Sequence, residues 1–135
     1  MVTANKQFRK RNAILSYLRQ TKTHPSAEMV FNELKADYPD LSLGTVYRNL
    51  AMFKNQGTIA SIGTVGGVER FDGNTEPHVH FICTGCQRVD DLPKLEVPEE
   101  LSRTVMDQTG GKVDECHLTF TGLCSQCLQK KEESA

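Results

Sequence analysis

Apolar residues in the first third of the chain recur with the 3.6-residue period of helices, and further on they alternate as strands do. Residues 6 to 20 predict a helix with Phe8, Ile14, Leu15 and Leu18 on its inner side. A second helix follows His24-Pro25. There Ser26 can serve as N-cap, and Ala27, Val30, Phe31 and Leu34 fall at the spacing of one buried stripe. Tyr38-Pro39-Asp40 breaks the pattern. Ser42 then caps a third helix whose inner face is Leu43, Val46, Tyr47, Leu50 and Phe53 and which ends near Gln56-Gly57. Two β-prone runs, 59–62 and 68–71, flank a turn from Gly63 to Gly67. Three helices followed by a hairpin make a winged helix-turn-helix. The alternative is a helical bundle with an ordinary polar face.

Beyond the hairpin, His78-Val79-His80-Phe81-Ile82 alternates as a strand, and Pro98 to Gln108 reads as a helix with Leu101 and Val105 inward, closed by Gly110-Gly111. A strand is expected over Lys112 to Phe120. Cys116 alternates there with Leu118 and Phe120, reading as a buried apolar thiol; a further metal site using Cys116 or His117 is the alternative. The polar tail Lys130 to Ala135 predicts disorder. A βαβ-like layer with an apolar face can pair with its twin, giving a homodimer whose two-fold symmetry matches a palindromic operator.

Four of the five cysteines form two Cys-x-x-Cys pairs, Cys83/Cys86 and Cys124/Cys127. Two such pairs supply the four thiolates of a tetrahedral structural Zn²⁺. A zinc there would staple the C-terminal region to the domain, contributing on the order of 10 kcal/mol of folding free energy. The competing chemistry is redox, as a dithiol switch or two disulfides. Both pairs are expected at strand ends, with neither opening a helix. The fold class is therefore α+β: an N-terminal winged helix-turn-helix, residues 1–73, binding DNA, and a small α/β dimerisation and metal-binding domain, residues 74–135, stapled by a structural zinc.

The net charge of −1 conceals an asymmetry. Residues 1 to 57 carry nine Lys and Arg against four Asp and Glu, whereas residues 58 to 135 carry seven against thirteen. A basic first half is the footprint of a phosphate-binding surface. The third helix would enter the major groove, with Arg48 and Asn49 reaching base edges and Thr45 and Lys54 contacting phosphates. Ser42, Tyr47 and the cluster Arg9, Lys10 and Arg11 complete the DNA-facing set, so Tyr47 is counted on both faces. No apolar run approaches the ~18 residues that span a bilayer, and nothing resembles a signal peptide. A cytoplasmic protein without membrane partners is expected.

The four histidines are His24, His78, His80 and His117. Two apart on a strand, His78 and His80 point to one face and can converge on a second ion. Asp72 and Asp91 are the nearest carboxylates that could complete such a site.

These residues carry a resemblance. His24-Pro25-Ser26-Ala27, Ser42-Leu43-Gly44-Thr45-Val46-Tyr47-Arg48-Asn49-Leu50, Arg70-Phe71-Asp72, His78-x-His80-x-x-Cys83-x-x-Cys86 and Val89-Asp90-Asp91-Leu92 are similar, in this order, to the motifs of the ferric uptake regulator family. The resemblance implies a metal-dependent bacterial repressor of transcription. It implies a regulatory site of His24, Asp72, His78, His80 and Asp91, separate from the four-cysteine zinc. Mixed nitrogen and oxygen ligands suit Fe²⁺, Mn²⁺ or Zn²⁺. Asp at position 72, and the lack of a longer histidine cluster before Cys83, resemble the peroxide-responsive branch. In that branch bound Fe²⁺ reacts with hydrogen peroxide and a ligand histidine is oxidised, here His24 or His78.

Against the family pattern, Met1 to Asn5 leaves no room for an extra leading helix. Arg9-Lys10-Arg11 stands where relatives often carry Pro-Gln-Arg, and Cys116 where they often place histidines. An iron, manganese or zinc uptake regulator is the neighbouring alternative. A metal- or thiol-dependent redox enzyme is the remote one, and it lacks a recognisable nucleophile or phosphate-binding loop.

Overall fold

The computed structural model describes residues 2–76 and 78–134. Helices α1 (Val2–Gln20), α2 (Ala27–Leu34) and α3 (Leu43–Asn55) precede strands β1 (Ala60–Val65), β2 (Val68–Asp72), β3 (Val79–Cys83) and β4 (Val89–Leu92). Helix α4 (Glu99–Thr109), strand β5 (Thr119–Gly122) and helix α5 (Ser125–Ser134) follow. The chain divides into two compact units, Met1–Thr75 and Glu76–Ala135.

In the first unit, Ile14 and Leu18 of α1, Ala27 and Val30 of α2, and Val46, Leu50 and Phe53 of α3 form one core with Leu41, Ile59 and Phe71. Hairpin β1–β2 follows α3, completing a winged helix-turn-helix. Both central helices start by side-chain capping. Ser26 accepts the Met29 N–H at 3.2 Å and Ser42 accepts the Thr45 N–H at 3.1 Å, each satisfying a first-turn donor that lacks an intrahelical acceptor. Ser42→Ala is expected to cost about 1 kcal/mol in a urea melt of the full chain.

Several expectations are corrected here. Helix α1 begins at Val2, not residue 6, and Phe8 is 61% exposed. Phe8 lies ahead of Ile14 and Leu18, the buried α1 residues of the core. Tyr47, one residue round from buried Val46, is 51% exposed and lies on the outer face of α3. The wing turn is two residues, not five. Val65 pairs with Val68, and Gly66 and Gly67 take φ of 61° and 84°, the positive values that a tight hairpin turn requires. Gly63 instead sits at a bulge in β1.

The second unit is a three-stranded sheet of order β4-β3-β5, with β3 antiparallel to β4 and parallel to β5. Its buried apolar residues are few: Val79, Cys83 and Val89 among the described residues. No residue of α4 is buried, and Leu101 and Val105 are exposed, contrary to their expected inward placement. Residues 112–118 form no strand, because β5 pairs only along the short edge of β3. Cys116, off the sheet, is half-buried instead of lying in a strand's apolar face, and Phe120 is exposed. The tail, expected to be disordered, forms α5 up to Ser134; Ala135 lies outside the described residues.

Candidate metal centres and nucleic-acid face

Cys83 ends β3 and Cys86 closes the turn after it. Cys124 directly precedes α5 and Cys127 lies in its first turn, so the second pair does open a helix, a correction to the expected strand-end setting. The four sulfur atoms lie within 4.8 Å of one another, and the Cys86 and Cys124 sulfurs are 3.9 Å apart. Sulfurs 2.3 Å from a common tetrahedral ion stand about 3.8 Å apart. Backbone N–H groups of Cys124 and Cys86 point at the Cys83 sulfur, at 3.3 and 3.4 Å, and pull its pKa down to about 6. Hydrogen bonds to Cys124 and Cys83 push Cys127 up to about 12. A cation bound through the Cys127 thiolate must therefore expel a firmly held proton. Gly85 leaves room for this packing, since a Cβ there would stand 3.0 Å from the Cys127 sulfur.

Imidazole and carboxylate donors form a pair in the first unit and a trio in the second. In the first, His24 Nε2 stands 3.3 Å from Asp72 Oδ2, both buried. His24 occupies the left-handed region at φ 51°, a conformation costing a non-glycine residue on the order of 1 kcal/mol. Asp72 ends β2, its Oδ1 accepting the Asn74 N–H. Gly73 packs its Cα against the end of α1; an added Cβ would lie 2.5 Å from the Leu18 carbonyl oxygen.

In the second unit, His80 and Asp91 are cross-strand partners on β3 and β4. Nε2 of His78 and Nε2 of His80 approach the same Asp91 Oδ1, at 3.1 and 3.2 Å. The Glu76 carbonyl can only accept, so His78 Nδ1, 2.6 Å from it, carries its hydrogen. His78 Nε2 and His80 Nε2 thus turn toward one oxygen of Asp91, bringing two imidazoles and a carboxylate to one point as divalent-cation sites do. The donor chemistry of both groups therefore fits a divalent metal.

On α3, Ser42 Oγ and Thr45 Oγ1 are 2.9 Å apart, and Arg48 Nη2 donates to Thr45 Oγ1 at 3.1 Å. Asn49 donates to the Thr45 carbonyl at 2.8 Å and accepts from Arg11 Nε at 3.4 Å, joining α1 to α3. Lys54 bonds Glu69 of the wing at 2.9 Å. The Ser61 hydroxyl, then Lys54, holds the Glu69 carboxyl below its ordinary range. Lys10 pairs with Asp40 at 3.1 Å and lowers that carboxyl, whereas Arg9 stays exposed. His117 is exposed beside Glu115 at 3.0 Å. Sequence reasoning missed the Glu69 tether on Lys54 and the Arg70 contacts to the His24 loop, since both join residues distant in sequence.

A winged helix with basic side chains on its third helix, in one chain with thiol and imidazole–carboxylate clusters, defines a metal-binding winged-helix protein. The model of the ferric uptake regulator family matches residues 3–121. A peroxide-responsive repressor of Staphylococcus aureus is 34% identical over 122 residues, spanning 89% of this chain and 80% of the relative. The crystal structure of a Campylobacter jejuni peroxide stress regulator is similar at a TM-score of 0.76 and 28% identity, covering 90% of this chain and 91% of that one. A Francisella tularensis ferric uptake regulator, solved with iron, gives 0.73 and 26% identity over 87% of this chain and 90% of the other. The chain belongs to the ferric uptake regulator family.

Proposed function

We propose that this protein is a metal-dependent transcriptional repressor that senses hydrogen peroxide, working in the cytoplasm as a homodimer on palindromic promoter DNA and not as an enzyme. The observation that carries the reading is the buried His24–Asp72 pair, with Asp and not Glu at position 72, in a family whose 34%-identical member is a peroxide-responsive repressor. Cys83, Cys86, Cys124 and Cys127 hold a structural Zn²⁺. His24, Asp72, His78, His80 and Asp91 supply one regulatory Fe²⁺ or Mn²⁺, a hard-to-borderline donor set suited to either ion.

Ferrous iron in that site would supply the one-electron chemistry that opens the O–O bond of hydrogen peroxide, with no net loss of electrons from the metal. The chain supplies the imidazole of His24 or His78, which gives up two electrons and gains one oxygen atom while the other oxygen leaves as water. A modified imidazole binds metal poorly, and because metal and DNA favour the same state, weaker metal binding means weaker DNA binding. Ser42, Thr45, Tyr47, Arg48, Asn49 and Lys54, with Arg9, Lys10 and Arg11, form the DNA face. The uncovered Leu101, Val105 and Phe120 offer an apolar surface to a second copy.

Loading the protein with Fe²⁺ without oxygen, adding a small excess of hydrogen peroxide and sequencing the peptides by mass spectrometry tests the reading. One added oxygen on the His24 or His78 peptide is the expected result. Unmodified histidines with iron demonstrably bound would leave a regulator responding to iron, manganese or zinc level, a reading that the same nitrogen and oxygen donors also suit.

A further inference from the structure

Resting on the ligand role proposed for His24, we infer that Arg70 is its positioning residue: the guanidinium holds the loop before α2 in the left-handed turn that presents the His24 imidazole to Asp72. Arg70 lies inside the first unit, 8% exposed. Its Nη2 donates to the Thr23 carbonyl at 2.8 Å and its Nε to the His24 carbonyl. The next residue on the strand, Phe71, donates its N–H to the Pro25 carbonyl at 2.9 Å. Three successive carbonyls of the loop are thus held by two successive residues of β2. A planar fork with fixed donor directions can span adjacent carbonyls in a way that a single ammonium cannot.

The consequence follows from strand geometry. Residues two apart on a strand share a face, so Arg70 and Asp72 address the same loop from the same side of β2. Arg70 fixes the backbone of His24, and Asp72 stands 3.3 Å from its Nε2. At φ 51° His24 does not rest in the backbone conformation it would choose alone. Released from Arg70, the loop can relax toward negative φ, swinging the imidazole away from Asp72. Arg70 touches no metal in this account. It acts through His24, as groups behind a metal ligand do when they fix its orientation.

The test is a double-mutant cycle on Mn²⁺ affinity, measured by competition with a fluorescent chelator on the full chain with its four-cysteine site saturated with zinc. Arg70→Gln is expected to weaken Mn²⁺ binding about tenfold to a hundredfold. In a His24→Ala background the same substitution should change affinity by less than about twofold, because the group through which Arg70 acts is gone. Arg70→Lys, able to serve one carbonyl, should fall between. It carries the same cycle if circular dichroism shows that the Gln variant does not fold. Equal losses in both backgrounds would mean a merely structural arginine and overturn the inference, as would no loss at all. If His24→Ala alone leaves Mn²⁺ affinity unchanged, His24 is no ligand, and the functional reading fails together with the inference. If His24→Ala weakens binding and Arg70 shows no coupling to it, only the inference fails.

Discussion

Removing zinc from Cys83, Cys86, Cys124 and Cys127 is expected to unfold the second unit and leave the first folded. The metal's contribution is on the order of 10 kcal/mol, comparable to the whole stability of a typical domain. The second unit has little else to rely on. Its buried apolar side chains among the described residues are Val79, Cys83 and Val89, and α4 buries none. The first unit keeps a ten-residue core of its own. A thermal melt followed by circular dichroism, with and without a strong zinc chelator under reducing conditions, should resolve into two transitions of which only one responds. Cys83→Ser should reproduce the chelated profile. A single melt indifferent to chelator would mean that the sheet stands without metal.

Phe53→Ala is expected to destabilise the first unit by about 3–5 kcal/mol, through lost burial and the cavity left between α3 and its neighbours. Phe53 is 4% exposed on the inner side of α3, while Lys54, the next residue, faces outward. Lys54→Ala should shift stability by no more than about 0.5 kcal/mol. Urea denaturation of the zinc-loaded protein separates the two. Their effects on retardation of an operator-length duplex should invert at temperatures where both are folded, with Lys54→Ala the weaker binder. A Phe53→Ala protein as stable as its parent would mean that α3 is not seated by this side chain.

Helix caps were legible because capping is local: Ser26 and Ser42 each need only a neighbouring N–H, and both accept one. The cysteine pairs were legible by spacing and the convergence of His78 and His80 on Asp91 by their two-residue separation, although β3 starts at Val79 and leaves His78 outside the strand. Placement of Phe8, Tyr47, Leu101 and Val105 was not. Periodicity says which residues share a face, and only the packed unit says whether anything covers it. The strand expected over residues 112–120 was too long because ladder length is set by the partner, and β3 offers an edge to Thr119–Gly122 alone. The helix after Cys124 was hidden by its polar composition. Nothing local connects Arg70 to the carbonyl of His24, 46 residues earlier, or Lys54 to Glu69, 15 residues later.

The tether between Lys54 and Glu69 bears on the ion atmosphere of any duplex the wing approaches. A lysine that meets a phosphate exchanges a condensed counterion for itself, and the entropy of that release drives much of nonspecific binding. Lys54 arrives with a carboxylate already at 2.9 Å, so its charge draws little from that reservoir until Glu69 lets go. With α3 on the bases, as proposed, the acid on the wing would discount indiscriminate attraction to polyanions and leave a larger share of affinity to contacts that depend on base sequence.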